Sequence, residues 1–262
     1  GFTTGYLVVE DNFNPEIGFK RRDNFKEFDG ALRFSPRITS SARVRRLVFE
    51  AETESYWSAD EDELETRAHE LSFTTEFEEG DQLNFSISDE FEMLSKSFRI
   101  SPDVILQAGD YDFTSYAASY RWGTQRRFSG SLSLRGGDFW NGTNTAIGFS
   151  SGRIELSPQL SVEPSYSYNQ IELPEGDFRT ELGRVRVTYT LSPRMYFSGL
   201  MQYNSTQSSL STNFRFRWEW APGSEIFFVY SDDRDTNPFD RPDSFELRNR
   251  GWAIKINRLF QI

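Results

Sequence analysis

The sequence predicts an all-β fold: a transmembrane, antiparallel, up-and-down β-barrel of about 14 strands. Three observations predict it. Apolar and polar residues alternate in segment after segment, and no run of ~18 apolar residues occurs that could make a membrane helix. The chain is polar on average, with a mean hydropathy of −0.62, yet 16% of it is aromatic. Short and long connections take turns along the chain, as they do when every second connection lies at the same end of a meander.

In chain order, alternation covers 2–10, and an outer connection follows at 11–26. Segments 27–35 and 43–57 flank a turn at Ser35-Pro36-Arg37, and 58–62 leads to 63–78. Glu79-Gly80-Asp81 turns into 82–93, where Leu83, Phe85, Ile87 and Phe91 oppose Asn84, Ser86, Ser88, Glu90 and Glu92. The long stretch 94–110 precedes 111–122, and Gly123-Thr124-Gln125 leads to 126–138. Residues 139–142 lead to 143–156, and Ser157-Pro158-Gln159 to 159–172, with Leu160, Val162, Tyr166 and Tyr168 on one side. After 173–177 come 178–191, Ser192-Pro193-Arg194 and 195–204. Segment 209–220 places Leu210, Thr212, Phe214, Phe216, Trp218 and Trp220 against Ser211, Asn213, Arg215, Arg217 and Glu219. The turn Ala221-Pro222-Gly223-Ser224 leads to 225–231, and 232–246 to the final segment 247–262. Side chains of a strand point alternately to two faces, so each segment has one apolar and one polar side. Proline recurs in the short turns because its fixed φ presets a turn and it cannot extend a ladder.

Alternation alone fits a soluble sandwich as well as a barrel in lipid. Four features favour lipid. The segments are mostly 10–15 residues long and sequential, which suits tilted membrane strands. Short turns gather at one end and loops at the other. Aromatic residues close the apolar faces in a girdle: Trp57, Tyr120, Trp122, Tyr166, Tyr168, Trp218, Trp220 and Trp252. The last segment, GWAIKINRLFQI, puts Trp252, Ile254, Ile256, Phe260 and Ile262 on one side, similar to the terminal signal read by the barrel-assembly machinery. Lipid requires closure, since an open edge would leave backbone groups without partners. A periplasmic C-terminus puts the Ser-Pro turns in the periplasm and 11–26, 94–110 and 232–246 outside. Of these, 94–110 is the best candidate to fold inward.

The polar sides carry segregated charge. Early segments supply Glu50, Glu52, Glu70, Glu76, Glu78, Glu90 and Glu92; later ones supply Arg184, Arg186, Arg215 and Arg217. In a closed barrel of 14 strands these become an acidic and a basic wall about seven strands apart, with a transverse field between them. That arrangement points to a porin-like channel for hydrophilic solutes; the same residues could instead bridge and fill the lumen.

Other chemistries find less support. There is no Cys, which excludes disulfides and thiolate metal sites. Net charge is −11, which speaks against a nucleic-acid partner. His69 is the only histidine, and its parity places it with Leu71, Phe73 and Phe77, so Ser–His or Asp–His catalysis has no constellation. Glycoside hydrolysis needs only two carboxylates, which Glu70, Glu76 or Glu90 could provide, but an acid-rich chain offers such pairs by chance. No enzyme is expected. The loop 232–246 holds Asp232, Asp233, Asp235, Asp240 and Asp243, and 58–65 is also acidic; both could bind Ca²⁺ but lack the EF-hand spacing, and no cofactor is expected.

Residues 173–236 resemble an uncharacterised outer-membrane barrel family through LPEGDF, QYN, NFRFRW and PGSEIFFVY. FNPEIGFKRRD at 13–23, GDYDF at 109–113, FWNG at 139–142 and the terminal RLFQI add weaker echoes. Members usually carry an upstream domain similar to carbohydrate-binding family 9. The resemblance implies a bacterial outer-membrane location and a sugar-related role, and supplies no catalytic residues. The chain starts at Gly1 without a signal peptide, so we read 1–262 as a single barrel domain, the C-terminal part of a longer protein. Expected partners are the lipid bilayer, the assembly machinery and small polar solutes or glycans. The rival role is a membrane anchor for a periplasmic carbohydrate-binding domain.

Overall fold

A computed structural model describes residues 1–18, 22–237 and 245–260. Its regular elements are antiparallel strands: β1 (Phe2–Val9), β2 (Phe25–Phe34), β3 (Val44–Ser58), β4 (Leu64–Phe77), β5 (Gln82–Leu94), β6 (Phe98–Ser101), β7 (Val104–Leu106) and β8 (Gly109–Trp122). There follow β9 (Phe128–Phe139), β10 (Gly142–Ser157), β11 (Leu160–Leu173), β12 (Gly176–Ser192), β13 (Met195–Asn204), β14 (Ser209–Ala221), β15 (Ser224–Asp235) and β16 (Leu247–Asn257). Fourteen strands form one sheet in chain order, from β1 to β5 and on from β8 to β16, while β6 and β7 pair as a separate hairpin. The meander is therefore realised strand by strand. No helix is long and apolar enough to cross a membrane among the described residues.

The chain divides into two compact units: Gly1–Tyr120 with Ser133–Ala146 and Gln170–Phe178, and Arg121–Leu132 with Ile147–Asn169 and Arg179–Ile262. In the first unit the predicted alternation becomes cross-strand rows. Phe34, Phe49, Phe73 and Phe85 lie opposite one another on β2–β5, and Leu32, Ala51, Leu71 and Ile87 form the next row on the same face. The Phe49 and Phe73 ring centroids are 4.9 Å apart. The intervening positions, Arg33, Glu50, Ser72 and Ser86, form a row on the opposite face. In the second unit Tyr189, Phe197, Phe216, Phe228 and Ile254 make one apolar row over β12–β16, and Val187, Gly199, Phe214, Tyr230 and Trp252 the next.

Turn chemistry explains how the strands reverse. Ser157 Oγ accepts from the N–H groups of Gln159 and Leu160 at 3.2 and 3.1 Å, and Ser192 Oγ accepts from Arg194 N–H at 3.3 Å. The serine thus fastens the turn that the following proline presets. Pro222-Gly223 joins the paired Ala221 and Ser224, with Gly223 at φ 72°, a conformation that favours glycine. Ser35-Pro36-Arg37 differs from the expected tight turn. The chain runs on to Val44, pinned by an Arg37–Arg46 bridge and by Leu47 N–H donating to the Pro36 carbonyl at 3.1 Å.

Several boundaries differ from expectation, β2 starting at Phe25 rather than 27, β8 at Gly109 rather than 111 and β9 at Phe128 rather than 126. β15 runs to Asp235, beyond the expected Tyr230-Ser231 end, and β12 starts at Gly176 rather than 178. The strands continue after their apolar alternation stops. At the C-terminus the strand ends at Asn257, earlier than expected, and Ile262 lies outside the described residues.

The buried apolar cluster of the described residues forms around the hairpin, while Phe25 and Val48 are buried elsewhere in the sheet. Val104 and Leu106 are buried, Leu106 at 0% exposure, against Ile171 and Leu173 with Leu94, Ile100, Phe139, Trp140 and Phe178 around them. Trp140 holds a φ of 55° and meets Tyr111 and Phe113 at 5.2 and 5.8 Å. By parity Phe113, Phe139, Ile171, Leu173 and Phe178 belong to the polar faces of their strands. The hairpin therefore seats on the polar face, through an apolar patch reserved for it. Ser101-Pro102-Asp103 makes its turn, with Arg99 Nη1 donating to the Pro102 carbonyl at 3.1 Å.

Leu106→Ala should cost about 2–5 kcal/mol, because the seat cannot collapse around the lost methyls. Leu71→Ala, at a site 60% exposed, should cost clearly less. Urea unfolding of both variants by tryptophan fluorescence checks the ranking.

Candidate functional site

The polar face of the first unit is the most highly charged surface in that unit's β2–β5 ladder. Glu50, Glu52, Glu70, Glu76, Glu90 and Glu92 share it, each at a strand position of matching register. Glu78 does not: β4 ends at Phe77, and Glu78 lies in the turn, its N–H donating to the Arg43 carbonyl at 2.9 Å. The structure adds Glu27, Asp29 and Glu54 to the face, which sequence reasoning passed over although alternation in FKEFDGA and FEAETES marks them.

Some of these carboxylates are paired. Arg33 Nη1 lies 3.2 Å from Glu50, and Arg46 grips Glu76 with two bonds of 3.0 and 2.6 Å. Tyr56 donates its hydroxyl to Glu54 at 2.9 Å, beneath the Arg22 guanidinium. Others oppose like charge. Glu52 sits directly across from Glu70, and Asp29 directly across from Glu54. Opposed carboxylates destabilise a sheet unless water or cations separate them, and a dry environment would make the cost far larger. This face therefore belongs in water.

In the second unit Arg184, Arg186, Arg215 and Arg217 share the polar face of β12 and β14. They are not a bare basic wall. Arg217 Nε bonds Glu225 at 2.7 Å, Arg186 approaches Glu163 at 3.9 Å, and Arg215 Nε donates to Asn213 Oδ1 at 2.8 Å. A cavity of about 260 Å³ on this unit is lined by Ser211, Asn213, Ser231, Asp233 and Asn249, groups suited to hydroxyl-bearing solutes.

Apolar faces change character toward the connections at 59–63 and 236–246. In the second unit the row beyond Trp252 is Met201, Thr212, Asp232 and Arg250. Asp232, 7% exposed, accepts from Arg234 Nε at 2.7 Å, from Arg250 Nη2 at 3.0 Å and from Tyr230 at 3.2 Å. In the first unit the equivalent change is the row Gly30, Thr53, His69 and Asp89, with Thr53 Oγ1 and His69 Nδ1 2.9 Å apart. His69 keeps the predicted parity with Leu71 and Phe73 but stands in this hydrogen-bonded row.

The girdle residues lie at several levels. Trp218 and Trp220 stand next to the 222–223 turn with rings 6.3 Å apart, and Trp252, 71% exposed, borders the Asp232 row. Trp57 lies at the far end of β3, and Tyr166 and Tyr168 lie on β11, Tyr166 exposed. Tyr120 donates to Asp81 at 2.6 Å, and Trp122 packs on Phe128 and Phe149. As for calcium, Asp232, Asp233 and Asp235 are strand residues rather than loop residues; Asp232 and Asp235 are bound by arginines, Asp235 by Arg248 at 2.7 Å. Asp240 and Asp243 lie outside the described residues. No cluster fit to hold a metal occurs among the described residues.

No protein-family model matches the chain, and no curated protein matches it.

Glu52→Gln should raise the unfolding midpoint at low ionic strength by removing a like-charge opposition, and the gain should vanish in high salt. Asp232→Ala should lower the midpoint far more than Asp233→Ala, since it strands two guanidinium groups at once. Denaturant titrations at two salt concentrations check both.

Proposed function

We propose that the chain forms a bacterial outer-membrane β-barrel whose apolar faces meet lipid and whose polar faces line a charged lumen. It admits small hydrophilic solutes, in the manner of a porin. One observation carries the reading: consecutive antiparallel strands, most of 10–17 residues and most with one apolar and one polar side, run in a single 14-stranded sheet. The strands at the two ends of that order, β1 and β16, would pair to close it, because lipid tolerates no free edge. The opposed carboxylates on the polar face support a watery interior. The resemblance to an outer-membrane family whose members usually carry an upstream domain similar to carbohydrate-binding family 9 supports the location and favours sugars among the solutes.

A second reading has an observation of its own. The β6–β7 hairpin rests on the polar face through a buried apolar seat, so it occupies space a wide pore would leave open. A barrel filled in this way would serve as a membrane anchor for a carbohydrate-binding domain.

Refolded protein in a planar bilayer separates the two. A channel gives discrete ionic steps, and Leu106→Ala, which loosens the hairpin seat, should enlarge them or lengthen their open time. An anchor gives a silent bilayer although the protein co-floats with vesicles.

A further inference from the structure

A cavity of about 1130 Å³ in the first unit opens along its apolar side. The neighbouring rows Phe49, Phe73, Phe85 and Ala51, Leu71, Ile87 line this shallow slot, which continues over β8 and β9. It crosses six strands, hence roughly 24 Å at ~4.8 Å per strand interval. Small side chains, Ala51 and Ala118, deepen it where larger neighbours on the same face stand proud.

The next row beyond the leucines is polar. Thr53 and His69 share a hydrogen bond, Thr114 donates to Asp89 at 3.4 Å, and Arg67 Nη2 lies 3.4 Å from both Asp89 and Asp112. An apolar slot with hydroxyl, imidazole and carboxylate groups at one lip is complementary to an amphiphile: chain in the slot, head at the lip. The lip sets two carboxylates against one guanidinium, so it repels an anionic head. A head rich in hydroxyl groups can both donate to the carboxylates and accept from Arg67 and the threonines.

We infer that this slot is a lipid site, which seats an acyl chain of a bilayer lipid whose head is uncharged and hydroxyl-bearing. The inference rests on the membrane reading. An apolar strip that merely faced bulk lipid would not need the slot.

Native mass spectrometry of the detergent-solubilised full chain tests it, with two probes of matched chains: monoglucosyl diacylglycerol and phosphatidylglycerol. Wild type should keep one glucosyl lipid at a roughly tenfold lower concentration than the anionic one requires. Ala51→Trp and Ala118→Trp, on separate strands, should each abolish that adduct by filling the slot. Asp89→Asn combined with Asp112→Asn should erase the discrimination between heads. Equal adducts with both probes, or an adduct unchanged in both tryptophan variants, overturns the inference. Vesicle flotation separates the two levels: a protein that never floats overturns the membrane reading and the inference together, whereas one that floats without a selective adduct overturns the inference alone.

Discussion

The period of two along an extended chain governs this protein. Every strand must offer its neighbours a complete row of backbone donors and acceptors, and that requirement leaves the side chains only two directions. The sequence sorts them so that the central rows across β2–β5 and β12–β16 are apolar on one side, while the other side is mostly polar. Phenylalanine meets phenylalanine on one side, while glutamate, serine and arginine meet on the other. Because register fixes the sorting, a slip of one residue in any pair would exchange the faces of a whole strand. The serine–proline turns and Pro222-Gly223 hold that register at the strand ends.

The strands outlast their apolar stripes. Beyond Trp252 and Tyr230 the same side of the sheet becomes Asp232, Arg234 and Arg250, bound to one another; beyond Leu71 and Ile87 it becomes His69, Asp89 and Arg67. Under the proposed membrane reading, a hydrocarbon layer of limited thickness would account for this, since a tilted strand longer than the layer must leave it and meet polar surroundings. The charged rows are stabilised by bidentate and charge-assisted hydrogen bonds. The hairpin is the opposite case: an apolar patch placed among polar residues, intelligible only through Val104 and Leu106, which cover it.

Much of the architecture was legible because it is local. Alternation in SLSTNFRFRWEW gave β14 to within a residue, but the expected order of short and long connections holds only in part: 140–141 and 174–175 are two-residue turns, while 123–127 and 35–43 are longer than expected. What escaped was long-range or masked by composition. The end of β15 was invisible because Asp232–Asp235 reads as an acidic loop, and only pairing with β14 and β16 makes it a strand. β6 and β7 are too short to show a period. Of the charged residues, parity gathered most of the glutamates correctly. It could not show that Glu52 faces Glu70, or that Arg217 is held by Glu225, since both depend on register between strands.

The central claim is that the aromatic sides touch lipid and the charged sides touch water. The chain has no cysteine, so single cysteines can map this without background. Introduced at Leu71, Phe85, Phe216 and Ile254 on one side, and at Glu52, Ser86, Arg215 and Ser231 on the other, each would be challenged with a membrane-impermeant maleimide in vesicles. The account predicts that the second group reacts in intact vesicles while the first stays unmodified until detergent is added. Protection of the charged-side cysteines together with ready labelling of the aromatic-side ones would contradict it.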